Sequence, residues 1–107
     1  MYLIEHPKGL AVVDLGIVRD KFPEFMKGDT IDEPEKRIDR QIKALGYSLA
    51  DVKYVILTHM HIDHTGGMEY LPDATYIVRR EEIKEAWFPK ERGPVGEGYC
   101  YENFKNA

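Results

Sequence analysis

Four side chains of the kinds that bind metal ions, His59, His61, Asp63 and His64, fall within six residues and follow directly on the apolar run Val52 to Leu57. A run rich in Val, Ile and Tyr, broken only by Lys53, predicts a buried strand covered on both faces. The chain must therefore fold so that the carboxyl end of a buried strand opens onto a ligand-rich loop. That is where α/β sheets place their ligand sites.

Spacing sharpens the expectation. Imidazole nitrogen and carboxylate oxygen are ligands that zinc and similar divalent ions accept. In extended backbone His59 and His61 point to the same side, so both can reach one ion. Asp63 and His64 lie further along, where the chain turns, offset enough to serve a second ion. Paired ions typically sit about 3.5–4 Å apart and share a hydroxide nucleophile. Gly66 and Gly67 allow a tight turn and close backbone approach, and a helix starting after them would aim its N-terminus at the site. A lone histidine would read as ordinary surface polarity. Four ligand-type residues at His-x-His-x-Asp-His spacing favour metal over a solvated loop.

The remaining chain predicts an α/β order. Tyr2 to His6 and Leu10 to Leu15 read as strands around the turn Pro7-Lys8-Gly9, hence a β-hairpin. Residues 17 to 30 show no clean period and read as a loop with at most a helical turn. From Asp32 to Gly46 the pattern is helical. Asp32 or Glu33 caps, Pro34 and Glu35 suit the first turn, Ile38, Ile42 and Leu45 share one face, and Gly46 closes. Thr75 to Val78 predicts a further strand and Glu81 to Phe88 a short helix stopped by Pro89. Residues 89–107 read as irregular, with Tyr99, Tyr101 and Phe104 as apolar anchors.

Composition bounds the function. At 107 residues one domain is expected. Fifteen basic against 19 acidic side chains, a net charge of −4, argue against nonspecific binding to nucleic acid or an anionic membrane. No apolar run is long enough to span a bilayer, and the N-terminus has no basic region leading into an apolar signal core. A single cysteine, Cys100, excludes an internal disulfide. These features together predict a cytoplasmic protein.

His59-Met-His-Ile-Asp-His64 followed by Gly66-Gly67 resembles the signature of the metallo-β-lactamase fold hydrolases. Asp14-Leu-Gly16, closing the second strand, is similar to that family's Asp-x-Gly. Within the superfamily, residues 2 to 86 most resemble N-acyl-homoserine lactone lactonases, through Ala44-Leu-Gly-Tyr47 and Tyr76-Ile-Val-Arg-Arg-Glu81. The resemblance implies an α/β fold that is the N-terminal half of a metallo-β-lactamase-type αββα sandwich, with residues 1–107 a partial domain. It implies two divalent metal ions, zinc being the expected metal, with His59 and His61 on the first and Asp63 and His64 on the second. Asp14 would support the site through hydrogen bonds rather than ligate. The implied reaction is opening of the lactone ring of N-acyl-homoserine lactones by a metal-bound hydroxide, which Asp63 orients as the catalytic carboxylate. Alternatives on the same fold are a thioester or phosphodiester hydrolase, because substrate is set by loops.

The family completes its site with two further histidines and a bridging aspartate from its C-terminal half. After His64 this sequence has no histidine, and Asp73 is its only later aspartate. His6 matches no family ligand. The expected partners are a small-molecule ester or lactone and a second chain or a homo-oligomer completing the domain. Three origins are open: truncation or proteolysis, which is preferred, a natural half that pairs, or a small protein keeping the motif without activity. An inactive metal-binding fragment is the contrasting functional class.

Other residues carry milder expectations. Cys100 reads as an ordinary cysteine. Trp87, Phe88 and Ile83 suit packing better than an acyl-chain pocket, and Met68 and Tyr70 suit covering the loop. Glu81-Glu82 and Lys90-Glu-Arg92 read as solvated charge.

Overall fold

In the computed structural model, which describes residues 1–28, 33–91 and 96–107, the hairpin forms around Pro7-Lys8-Gly9. Strands β1 (Tyr2–Ile4) and β2 (Leu10–Val13) are antiparallel, with Tyr2 opposite Val13 and Ile4 opposite Ala11. Strand β3 (Val52–Ile56) lies parallel to β2, and β4 (Thr75–Ile77) parallel to β3, giving the order β1-β2-β3-β4. Strand and helix alternate along the chain, the α/β architecture expected from the sequence.

A register shift decides which face becomes core. Leu10 pairs with Val52 but Ala11 pairs with Tyr54, so Lys53 is skipped. This bulge lets Val52 and Val55, three residues apart, share a face with Leu10 and Val12, two apart. Val12 and Val55 are fully buried there, in one cluster with Leu15, Ile38, Ile42, Leu57 and Phe104. Tyr76 joins that face. Its hydroxyl donates to the Met68 and Leu71 carbonyls, and burial pushes the phenol up to about 12.

The opposite face does not match the expected two-sided burial. Cross-strand partners share a face, and there Tyr2, Ile4, Tyr54 and Ile77 are all substantially exposed. The packing helices lie against the Val12–Val55 side, so β3 is buried on one face only.

The helical segment is shorter than the sequence pattern predicts. A single 3₁₀ turn at Pro34–Lys36 ends at Arg37, whose ψ of 142° is extended, and α2 runs only Ile38–Ala44. Arg37 turns back to make a bidentate pair with Asp39 at 2.7 and 2.9 Å. Asp39 stands in the first turn, where the helix dipole favours its charge. Ile38 and Ile42 enter the core, but Leu45, at the C-cap, is 60% exposed. Gly46 closes the helix with φ of 88°. Asp32 lies outside the described residues, as do Gly93 and Pro94.

Residues 17–28 contain a 3₁₀ turn at Arg19–Lys21 and the one-turn helix α1 (Glu24–Lys27). Helix α4 spans Arg80–Trp87, one residue ahead of expectation. The tail expected to be irregular includes a helical turn, α5 (Tyr101–Phe104). Phe104 is 1% exposed, and its ring meets Trp87 edge-on at 5.5 Å. Tertiary packing orders this segment, because its local sequence has too little apolar periodicity to do so. Among the described residues, no helix is long and apolar enough to cross a membrane.

Candidate metal centre

The parallel pairing of β2 with β3 brings their carboxyl ends side by side. Asp14 leaves β2 and donates its backbone N–H to the Ile56 carbonyl, while Thr58 and His59 follow β3. The turn after His61 then winds into α3 (Ile62–Thr65). This helical turn lies inside the motif, so the helix expected after Gly66-Gly67 forms before them instead. His61 ends its first turn: its carbonyl accepts from His64 N, Thr65 N and the Thr65 hydroxyl.

Close approach explains both glycines. The Leu15 N–H donates to the His64 carbonyl and the Gly66 N–H to the Gly16 carbonyl, fastening α3 to the chain leaving β2. A Cβ at Gly66 would lie 2.6 Å from Gly16 O, and one at Gly67 would run into the Ile38 side chain.

Folding gathers three of the four motif ligands directly. His59, Asp63 and His64 each offer one ligand atom within 4.8 Å of the others. The His59 and His64 rings lie 3.9 Å apart, and the His61 ring meets His59 edge-on at 4.8 Å. His61 thus borders the cluster, with its ring turned between His59 and Tyr99.

Asp14 and Thr58 organise this arrangement. Asp14 has φ of 56°, a left-handed conformation that Asp tolerates better than most residues. Its carboxylate accepts from Thr58 N at 2.9 Å and the Thr58 hydroxyl at 2.9 Å, and lies 3.0 Å from His64 Nδ1. Burial works against its charge, but the bonds from Thr58 and His64 outweigh that and hold the carboxyl below the usual carboxylate range. The expected hydrogen-bonding place of Asp14 is thus what the fold produces. Thr58 is the residue the motif reading missed. Its hydroxyl also lies 3.2 Å from His59 Nδ1, and its only sequence signal is its place between the strand and the first histidine.

The donor set fits a metal ion. A histidine ligand usually gives its outer N–H to a carboxylate, which fixes the tautomer that offers the other nitrogen. Asp14 takes that role for His64, leaving Nε2 as an acceptor 3.4 Å from Asp63 Oδ2. Two acceptors facing each other repel unless a proton or cation lies between them. Bonds of about 2.1 Å to a tetrahedral ion would set its ligands roughly 3.4 Å apart. Asp63 is half exposed, and a cleft of about 550 Å³ opens beside it and His64, bordered by Met1, Ile17, Val18 and Arg37.

The other singled-out residues sit apart from this chemistry. His6 lies in the hairpin turn, accepting from Lys8 N. Cys100 is buried with Phe22 and Ile62. Trp87 packs as expected, but Phe88 is 74% exposed because the chain leaves α4 there. Met68 is core, and Tyr70 lies under the Arg37 guanidinium at 4.9 Å.

Comparison with known proteins agrees with this geometry. The sequence profile of the Metallo-beta-lactamase superfamily matches residues 1–99. N-acyl homoserine lactonase AttM of Azorhizobium caulinodans is 40% identical over 113 residues, covering 96% of this chain and 41% of that protein. A crystal structure of a Bacillus thuringiensis AiiA variant with N-decanoyl-L-homoserine at its active site superposes with a TM-score of 0.71. It is 30% identical and covers 87% of this chain and 41% of that one. A structure of N-acyl homoserine lactone hydrolase, with N-hexanoyl-L-homoserine at its catalytic metal centre, gives 0.70 at 29% identity, covering 86% and 40%. The chain spans about two-fifths of the length of the curated relatives it matches.

Proposed function

The chain belongs to the metallo-beta-lactamase superfamily, and on that premise we propose that it carries the His/Asp portion of a metal-dependent hydrolase that opens the lactone ring of N-acyl homoserine lactones. The observation that carries this reading is the convergence of His59, Asp63 and His64 within 4.8 Å, with Asp14 already holding the outer nitrogen of His64. The named activity of the relatives favours the lactone over a thioester or phosphodiester.

In this reading His59 and His61 hold one divalent ion and Asp63 and His64 a second, zinc being the expected metal. Such ions supply a Lewis acid for the ester carbonyl and a water that loses its proton near neutral pH. The protein's own part is positional. Asp14 and Thr58 set the His64 ring, Thr58 bonds the His59 ring, and the α3 turn aims Asp63 and His64 into one space. Asp63, half exposed beside the cleft, accepts the proton of the attacking water and returns it to the departing ring oxygen. As the water oxygen joins the carbonyl carbon, the ring C–O bond breaks, and the product is the open acyl-homoserine. A small-molecule substrate suits the cleft beside Asp63, and the chain works in a cytoplasmic setting.

One observation supports a second reading, a metal-binding unit that hydrolyses only with another polypeptide or a second copy: residues 1–107 form a partial domain whose histidines all precede residue 65. Ring opening of N-hexanoyl-homoserine lactone releases a proton, so a pH-indicator assay with added zinc tests both. The first reading expects turnover abolished by His59→Ala. Metal binding without turnover would favour the second, and neither binding nor turnover would refute both.

A further inference from the structure

His59 and His64 are oriented through their ring nitrogens, His59 by Thr58 and His64 by Asp14. His61 is held differently. Among the described residues neither of its ring nitrogens makes a hydrogen bond, so its direction depends on what the ring packs against. On one side stands the His59 ring, edge-on at 4.8 Å and 78°. On the other stands Tyr99, centroid to centroid 4.9 Å at 70°, and an isolated antiparallel bridge joins the backbones of His61 and Tyr99. Gly98 closes the remaining side. Its φ is +86°, and a Cβ there would press on His61 Cδ2 at 3.1 Å and Nε2 at 3.2 Å. Tyr99 is fastened in turn by its N–H to the Gly96 carbonyl and by packing on the core.

We infer that Tyr99, with Gly98 before it, is the positioning residue for His61, clamping the imidazole by ring packing where the other two histidines are set by hydrogen bonds. Edge-to-face ring pairs have a preferred geometry, so a clamp of this kind fixes direction while leaving both ring nitrogens free to ligate. Neither residue touches the reacting atoms. The inference rests on the reading of His61 as a ligand, and it gives the segment 96–99, 35 residues beyond the motif, a part in the centre that the motif itself does not reveal.

The test has a metal-free arm and a metal arm. In the metal-free protein, NMR cross-peaks are expected between the Tyr99 ring protons and His61 Hδ2. His61 ring resonances should shift in Tyr99→Leu and stay near their original positions in Tyr99→Phe. Titration with zinc alone, and with cobalt alone read by its visible bands, should show Tyr99→Leu binding 10- to 100-fold more weakly, the usual loss when a ligand's support is removed. Tyr99→Phe should bind nearly as tightly as the wild type. Missing cross-peaks in the wild type, or a Tyr99→Leu protein with unchanged His61 resonances and metal affinity, would overturn the clamp. A wild type that shows the cross-peaks but binds neither metal would overturn the ligand reading while supporting the clamp. The wild-type cross-peaks decide even if Tyr99→Leu does not fold.

Discussion

Replacing Asp14 with Asn removes one charge and leaves the shape nearly unchanged, so it isolates the electrostatic part of the centre. The carboxylate accepts from Thr58 N, the Thr58 hydroxyl and His64 Nδ1 at 2.9, 2.9 and 3.0 Å. Asn keeps one oxygen, which can still accept from Thr58 N, and puts an NH₂ where the other oxygen stood. That NH₂ meets His64 Nδ1, so the imidazole must move its proton to Nε2, the nitrogen facing Asp63. A hydrogen bond to a charged group contributes about 1.5–3 kcal/mol. Losing the His64 bond and weakening the Thr58 hydroxyl bond should therefore lower unfolding stability by about 2 kcal/mol at pH 7. Asn tolerates positive φ much as Asp does, so backbone strain adds little. Zinc affinity should fall further, about 10- to 100-fold, because the ligating tautomer is lost. The Asp14 carboxyl titrates below its unfolded value, so its stabilisation is present above about pH 4 and disappears as pH falls through the folded pKa. The difference between wild type and Asp14→Asn should then shrink toward zero in acid. Urea titrations from pH 3 to pH 7, with zinc competition at pH 7, measure all three effects. A variant within about 0.5 kcal/mol of wild type at pH 7, with unchanged zinc affinity, would refute this account of Asp14.

Gly66→Ala should destabilise by about 3 kcal/mol or more in urea, since the new Cβ meets backbone at 2.6 Å and must break the Gly66–Gly16 bond. A loss under about 1 kcal/mol would show that α3 is not fastened there. Helix α2 gives an internal contrast. Ile42→Ala, at 1% exposure, should cost about 2–4 kcal/mol, and Leu45→Ala, at 60%, under about 1 kcal/mol by the same measurement.

The parts legible in the sequence were those whose signal is local. A hairpin around Pro7-Lys8-Gly9, a strand running into His59, and the ligand types in the motif depend on residues close together in the chain. The break at Arg37 was invisible because arginine is a good helix former, and only its pair with Asp39 accounts for the turn. Leu45 matched the helical period, yet the helix ends one residue before it. The one-sided burial of β3 depends on where every packing helix lies, and the bulge at Lys53 depends on pairing with β2. Residues 96–104 gave least away. Phe104 is ordered by Trp87, and Tyr99 by the contact with His61, neither of which leaves a periodic trace. Thr58 likewise becomes meaningful only once Asp14, 44 residues earlier, is folded beside it.

The central claim is that His59, Asp63 and His64 form a metal-binding centre together with His61. Elemental analysis of zinc per chain, after loading and extensive dialysis, tests it most directly when wild type and His59→Ala are measured together. The account predicts one equivalent or more in the wild type and a clear loss in the variant. A wild type that retains no zinc, or a variant that retains as much, would contradict it.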